Sequence, residues 1–562
     1  MKKLLFSLLL LFPLGVQAQQ NCSVDKQKPI QLLTAELKRG FKVLKKQDPP
    51  IYYLSYTLQE ENSQGVWVTQ GGIEKIWDNA NFVLTVFPRV GNQQLDNTRT
   101  LKKGQTFYGL IKKDVPSTEG DGKAFTNAVW LLTQQAVEWA QEDYSAVQAD
   151  AYISSERLDD SPDFTFPPKA TFCREQNFSQ FDLEKITQLL LKASQRVNGK
   201  SFVLSSSFKF SNDYGYRYFV DSVGTHLKTP SQLVRLTYSI EGQTEDGTEL
   251  SRGTSYDVLT QEELPSEEEF LAAVDRSISE LEQQIKAPDA DPITVPAILQ
   301  NKAMGVFVHE VLGHRAEGHR QKEDSFGRTF TDKVGQPIVS SLLTIVDDPT
   351  LSYFNGKPLR GFYEYDSEGV KAAPAVLVEN GILKNFLMSS SPIHRFTKSN
   401  GHGRAEPGRR PVSRMGNTRV IASKTVSYEE LEKQLLEQIK AQGKPYGIII
   451  EDLSGGFTIT ETFAPQSFKL EPTFMYRLYP DGHKEVVRGA DIVGTPLVSF
   501  KEVLAAADDY AIFNGSCGAE SGWVPVSAIA PSVLLRALEL EKTQKTAQKL
   551  PILPPPSLEV NP

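Results

Sequence analysis

Residues 306–314 read VFVHEVLGH, an apolar helical stretch carrying two histidines and a glutamate. His309, Glu310 and His314 form HExxxH, one residue longer than the common HExxH metal motif. At about 100° per residue, positions i and i+4 of an α-helix lie about 40° apart, whereas i and i+5 lie about 140° apart. His309 and His314 can therefore reach one ion only if the helix widens or ends between them. Gly313 is the residue that permits either. Neutral imidazoles are good zinc ligands, and a carboxylate beside them can take a proton from water. The spacing thus demands an irregular helix at the one place where the chain carries such chemistry.

A catalytic zinc takes three protein ligands, and spacing does not name the third. Cys517, in Asn514-Gly-Ser-Cys517-Gly-Ala-Glu520, is one candidate; His319, His394, His402 or an acid are others. Cys517 stands modestly ahead, because nearby glycines allow close backbone approach. His319 reads as solvent-facing. His226 and His483 lack companions and read as surface or packing residues.

The start of the chain sets the compartment. Lys2 and Lys3 precede an apolar run over 4–16 broken by Pro13, and Val16-Gln17-Ala18 follows. This pattern predicts a secretory signal, 1–18, removed after Ala18. The run is shorter than the ~18–20 residues that span a bilayer, and no later stretch is long and apolar enough. The mature chain is therefore expected to be exported, periplasmic or secreted, without stable membrane insertion. Three cysteines are too few for a disulfide scaffold. In an oxidising compartment Cys22 and Cys173 can still pair, pinning the mature N-terminus and leaving Cys517 alone. A net charge of -8 argues against nucleic acid as a partner.

With 562 residues, 40% hydrophobic, the chain is long enough for two or more domains. Helical spacing recurs over 30–44, 126–140 and 186–197, the last capped by Asp182. Ser266 and Glu269 form a capping box for a helix with Phe270, Val274, Ile278, Leu281 and Ile285 inward. Strand-like runs fall at 51–58, 82–90, 202–210, 214–220 and 233–240, and Asp246-Gly247 signals a hairpin. Three prolines and two aspartates within 286–296 mark a boundary. Beyond it come many short strands and a single long helix over 428–442. The expected fold is α+β. A mixed helix and antiparallel-sheet domain spans 19–290; a β-rich domain entered by the HExxxH helix spans 291–545; a Pro-rich tail spans 546–562.

The second half resembles the TldD/PmbA family of metalloproteases, called modulators of DNA gyrase, and within it the TldD branch that keeps the metal motif. The resemblance rests on HEVLGHRAEG at 309–318, IVDDP at 345–349, YDSEG at 365–369 and VENGIL at 378–383. It continues through Gly408-Arg409-Arg410, Cys517-Gly518 and Pro525-Val526. It implies zinc held by His309, His314 and Cys517, with Glu310 as general base. It also implies peptide or unfolded-protein substrates lying along a sheet edge between two protomers, in a homodimer or a heterodimer with a PmbA-like homologue. Asp366, Glu368, Arg409 and Arg410 fall in matching stretches and are candidates for gripping substrate or orienting ligands; ion-pair roles within the fold are the alternative.

The sequence departs from the family in its signal segment, which separates an exported chain from gyrase, and in His319, which stands where an acid is common. The reading that results is an exported zinc metallopeptidase. The alternative is a peptide-binding scaffold with structural zinc, working beside a homologous partner; hydrolysis of another amide, such as a cell-wall peptide, is a third.

Overall fold

In the computed structural model, described residues are 22–101, 111–153, 159–322, 325–460, 467–495 and 500–543. The expected signal segment and Pro-rich tail lie outside the described residues. The chain is α+β, as its pattern of periodicities predicts.

Strands Ile51–Thr69 and Gly72–Val90, 19 residues each, form an antiparallel hairpin. Only the apolar ends of this hairpin, 51–58 and 82–90, read as strands from the sequence. The middle is polar (Gln59-Glu-Glu-Asn-Ser-Gln64), and its turn uses Gln70 and Gly71 at φ 48° and 82°. The runs expected at 202–210 and 214–220 are likewise one strand, Val203–Asp221, pairing with His226–Gln243. With Ile111–Val115, Thr171–Cys173 and Glu249–Val258 these make a seven-stranded sheet. Strands of this length, about 60 Å at ~3.3 Å per residue, carry two helical layers. Lys28–Leu44 and Lys123–Ile153 bury Ile30, Leu33, Phe125 and Val129 against Leu54, Tyr56 and Leu84. Leu183–Val197 and Glu267–Lys286 bury Leu190, Phe270 and Val274 against Val66, Phe208 and Leu236. Asp182 caps the first of this second pair, and Ser266 and Glu269 close the capping box of the other. Cys22 and Cys173 form a disulfide, with Cα atoms 5.6 Å apart.

Strands from Ile293 onward belong to other sheets. Gly447–Thr458, Ile293–Leu299, Val533–Lys542, Ala490–Gly494 and Phe468–Leu478 pair in that order. Pairing of Gly447–Thr458 with Phe468–Leu478 then closes the ring. A six-stranded sheet lies beside it and ends at Gly522–Ala530 and Ala511–Ala519. Between ring and sheet runs the buried helix Asn301–Val308. Its Phe307 meets Phe468 and Phe500, at ring-centroid distances of 5.6 and 5.0 Å. Gly305 packs on the other side, where an added Cβ would stand 3.3 Å from Ala528. The helix is thus wedged between two β layers, and whatever follows Val308 emerges where they meet. Among the described residues no helix is long and apolar enough to cross a membrane.

Candidate metal centre

His309–Gly313 form a single wide π-turn, and the N–H of His314 donates to the carbonyl of His309, five residues back. That ring accommodates one residue more than an α-turn. His314 therefore comes round to the face of His309, with ring centroids 5.0 Å apart. The widening expected from HExxxH is present, but Gly313 serves it differently from the expectation. Its φ of -54° and ψ of -56° are ordinary helical values, so conformational freedom is not the need. A Cβ there would overlap Met415 Sδ.

Cys517 arrives from the edge strand Ala511–Ala519, where it pairs with Val524. Its Sγ lies 3.1 Å from His309 Nε2 and 3.4 Å from His314 Nε2. All three donor atoms lie within 4.8 Å of one another, and all three residues are buried. Zn–S of about 2.3 Å and Zn–N of about 2.0–2.1 Å at a tetrahedral angle separate N from S by about 3.6 Å. The observed spacings are close to that, so two imidazoles and a thiolate fit zinc in chemistry and in size. Of the candidates for a third donor, the structure brings Cys517 to the two histidines.

Electrostatics reinforce the set. Burial would raise the Cys517 thiol, but the His314 and His309 imidazoles outweigh it and hold the thiol well below its ordinary range. Burial would lower both imidazoles; the Cys517 thiolate instead raises His309, and it raises His314 further with help from Glu317. Glu310, 9% exposed, is raised by burial, which the two imidazoles only partly oppose. Its Oε2 lies 4.0 Å from His314 Nε2. Gly456 leaves room for it, since a Cβ there would stand 3.2 Å from Glu310 Cγ. Arg315 fastens the turn to the strand ring through the carbonyls of Ile459 and Ser467, both at 3.1 Å.

Three residues around this set carry no mark in the spacing. Glu317 Oε1 faces His314 Nδ1 at 3.3 Å, and its Oε2 accepts from Arg320 Nε at 2.7 Å. Burial would raise Glu317, but His314 and Arg320 lower it to about 2. Arg414 Nε stands 3.4 Å from Glu317 Oε1, while its Nη2 donates to the Cys517 carbonyl at 2.6 Å. His319, expected at the surface, is 2% exposed and pairs through Nε2 with Glu520. Glu520 also accepts from Arg320 at 2.9 Å. The acidic partner thus comes from the Cys517 strand region, so the histidine is sheltered by a charge the local sequence does not display.

The remaining candidates sit elsewhere. Asp366 accepts from the backbone N–H groups of Glu368, Val370 and Gly403, each at 2.9 Å. Glu368 accepts from the Ser390 N–H at 2.6 Å. Arg217 of the first sheet donates to the carbonyls of Asp366 and Tyr365, and Arg410 donates to that of Thr98. Arg409 Nε stands 3.6 Å from Glu406. The Arg217 and Arg410 contacts join the two halves of the chain, and none of the four lies in the donor cluster. His402 is buried against Asp347 at 3.2 Å, and the backbone N–H of His394 donates to Asp159.

Residues 292–542 match the family described as PmbA/TldA metallopeptidase C-terminal domain. The chain is 33% identical over 235 residues to a metalloprotease of Methanothermobacter thermautotrophicus, covering 41% of this chain and 47% of that relative. It is 26% identical over 457 residues to a metalloprotease of Archaeoglobus fulgidus, covering 80% and 93%. It is 25% identical over 259 residues to a zinc metalloprotease TldD homolog of Saccharolobus solfataricus, covering 46% and 54%. The first and third matches thus span about half of each relative. Among solved structures, TldE from Thermococcus kodakarensis superposes with a TM-score of 0.62 at 15% identity, covering 92% of this chain and all of that one. A Thermotoga maritima protein described as a modulator of DNA gyrase gives 0.59 at 16%, covering 90% and all of that chain. At such identities these two speak for the fold alone.

The matches define a protein of a metallopeptidase family with an α+β fold. That family is TldD/PmbA, and residues 292–542 of this chain match its C-terminal domain.

Proposed function

We propose that this chain is an exported, zinc-dependent peptidase acting on short or unfolded peptides. The observation that carries the reading is the convergence of His309, His314 and Cys517 within 4.8 Å, with the Glu310 carboxylate 4.0 Å from one of them. Zinc held by the three donors would supply a Lewis acid able to polarise a scissile carbonyl and acidify a water. Glu310, buried and raised in pKa, accepts the proton of the attacking water and passes it to the leaving amine. A carboxylate placed beside the donors but outside them favours catalysis over a structural site, which needs no base.

A cavity of about 700 Å³ lies beside the strand of Cys517, lined by Ala511, Phe513 and Asn514 together with Ser251, Ser255 and Tyr256 of strand Glu249–Val258. Ala511–Ala519 ends its sheet. A peptide laid along that edge binds through its backbone, which suits substrates of varied side chains. Assembly as a pair, either of like chains or with a PmbA-like homologue, is part of the same proposal and follows from the resemblance to the TldD/PmbA family. Export rests on the apolar segment over 4–16 and on the Cys22–Cys173 disulfide, and it places the chain away from gyrase.

The test is metal content and peptide cleavage of the mature protein beside Glu310→Ala and Cys517→Ser. The reading requires that the wild type hold zinc and cleave, that Glu310→Ala keep zinc without cleaving, and that Cys517→Ser lose zinc. Cleavage by Glu310→Ala at the wild-type rate sinks it.

A further inference from the structure

The metal ligands come from two segments that share no secondary structure, the π-turn and the strand Ala511–Ala519. Something must hold the two in register before any ion arrives. Arg414 is fully buried; it touches the strand directly and reaches the segment after the π-turn through Glu317. Its Nη2 donates to the carbonyl of Cys517 at 2.6 Å, and its Nη1 donates to Ser521 Oγ at 2.7 Å and the Gly522 carbonyl at 3.0 Å. Its Nε reaches Glu317 Oε1 at 3.4 Å. Glu317, also fully buried, turns that same oxygen to His314 Nδ1 at 3.3 Å. This oxygen, this imidazole nitrogen and Arg414 Nε are buried without a hydrogen bond of good geometry, and ion-pair contact with one another is what satisfies them.

We propose that Glu317 and Arg414 are positioning residues that preset the ligand geometry. A carboxylate facing Nδ1 keeps the proton on that nitrogen and leaves Nε2, the atom 3.4 Å from Cys517 Sγ, free to donate. The guanidinium then ties this carboxylate to the main chain of Cys517, so that imidazole and thiolate are fixed through one side chain. Arg320, on the other oxygen of Glu317, keeps the carboxylate from turning away. The carrier segment is itself anchored. Asp347 accepts from the Gly416 N–H at 2.9 Å and from Thr418 Oγ1 at 2.7 Å, and Arg414 N–H donates to the His402 carbonyl at 2.9 Å.

This inference rests on the metal reading of the site, and the experiment separates the two. Apo-protein is titrated with Co²⁺ while the thiolate-to-cobalt charge-transfer band and the visible d–d bands are recorded. The chains compared are wild type, Glu317→Gln, Arg414→Lys and Leu435→Ala. Leu435 is buried in the helix Tyr428–Ala441, away from the donors, so its variant lowers the apo Tm without touching the clamp. Cobalt affinity is expected to fall about 10–100-fold in Glu317→Gln, the range usual for lost outer partners of a ligating histidine. In Arg414→Lys the charge-transfer band is expected to shift or weaken as the thiolate loses its fixed place. Leu435→Ala should bind cobalt as wild type does, with an unchanged spectrum. Wild-type affinity and spectrum in both clamp variants overturn the proposal, as does an equal loss in Leu435→Ala at matched Tm. A wild type that takes up no cobalt overturns the metal reading itself, and the clamp with it.

Discussion

Met415 sets its sulfur where Gly313 would otherwise carry a side chain. The residue that ends the π-turn is thus chosen by a neighbour about a hundred positions away, not by the backbone angles of the turn. Gly313→Ala is expected to destabilise the protein by about 1–3 kcal/mol through overpacking. Met415→Ala in the same chain should recover part of that loss. A double-mutant cycle by chemical denaturation measures it; strict additivity would show that the two residues do not compete for one space.

Glu310 is expected to act in chemistry and not in metal retention. Glu310→Gln preserves the shape of the side chain and removes the base. Peptide cleavage should fall by about 10²–10⁴-fold, with bound zinc, measured by elemental analysis, unchanged from wild type. Loss of zinc in this variant would make Glu310 a ligand.

Metal loading should depend on pH through the imidazoles. Both His309 and His314 hold a proton more firmly than free histidine, because the Cys517 thiolate outweighs the cost of burial. Those protons must leave before the rings can donate, whereas the Cys517 thiol gives up its own more readily than a free thiol. Zinc uptake should therefore release protons, and affinity should fall as pH falls. Calorimetry in buffers of different ionisation heat reads the number. Uptake without proton release would show that the rings are neutral beforehand.

Glu317 makes a separate statement about acid stability. Its carboxyl is lowered from an ordinary glutamate value to about 2 in the folded chain, burial being outweighed by His314 and Arg320. A depressed folded-state value means that its stabilisation is complete above the unfolded-state value, about 4.3, and drains away as pH falls toward 2. Unfolding midpoints of the apo-protein in urea should drop over that window, and the drop should be smaller in Glu317→Gln.

The disulfide closes a loop of 151 residues, and its removal is expected to cost about 2–4 kcal/mol. Cys22→Ala with Cys173→Ala should lower the Tm. Zinc content should stay at the wild-type level, since the pair sits at the first sheet and apart from the donor cluster.

The π-turn was legible in the sequence because the five-residue interval between two histidines is itself a geometric constraint. Caps such as Asp182 and the Ser266–Glu269 box were legible for the same reason: they are local. The long strands were not. Their middle residues, among them Glu60, Glu61, Asn62 and Ser63, are polar, so the alternation that betrays a half-buried strand is absent; pairing with Gly72–Val90, and for Asn62 and Ser63 also with Val203–Asp221, holds them in place. Glu317 stood inside a recognised motif, yet nothing in the spacing tells which carboxylate faces a ring nitrogen. Arg414 and the Glu520 partner of His319 were out of reach, because each acts across a distance in sequence that only packing brings together.

His309 and Cys517 lie 208 residues apart along the chain yet meet at 3.1 Å. No local segment can capture an ion on its own, and the pocket exists only once the ring of strands and the neighbouring sheet have both closed around the helix Asn301–Val308. On the proposed reading, metal acquisition would therefore be a late event in maturation. A chain threaded through a membrane unfolded would cross it empty, and would take its ion from the compartment in which it folds.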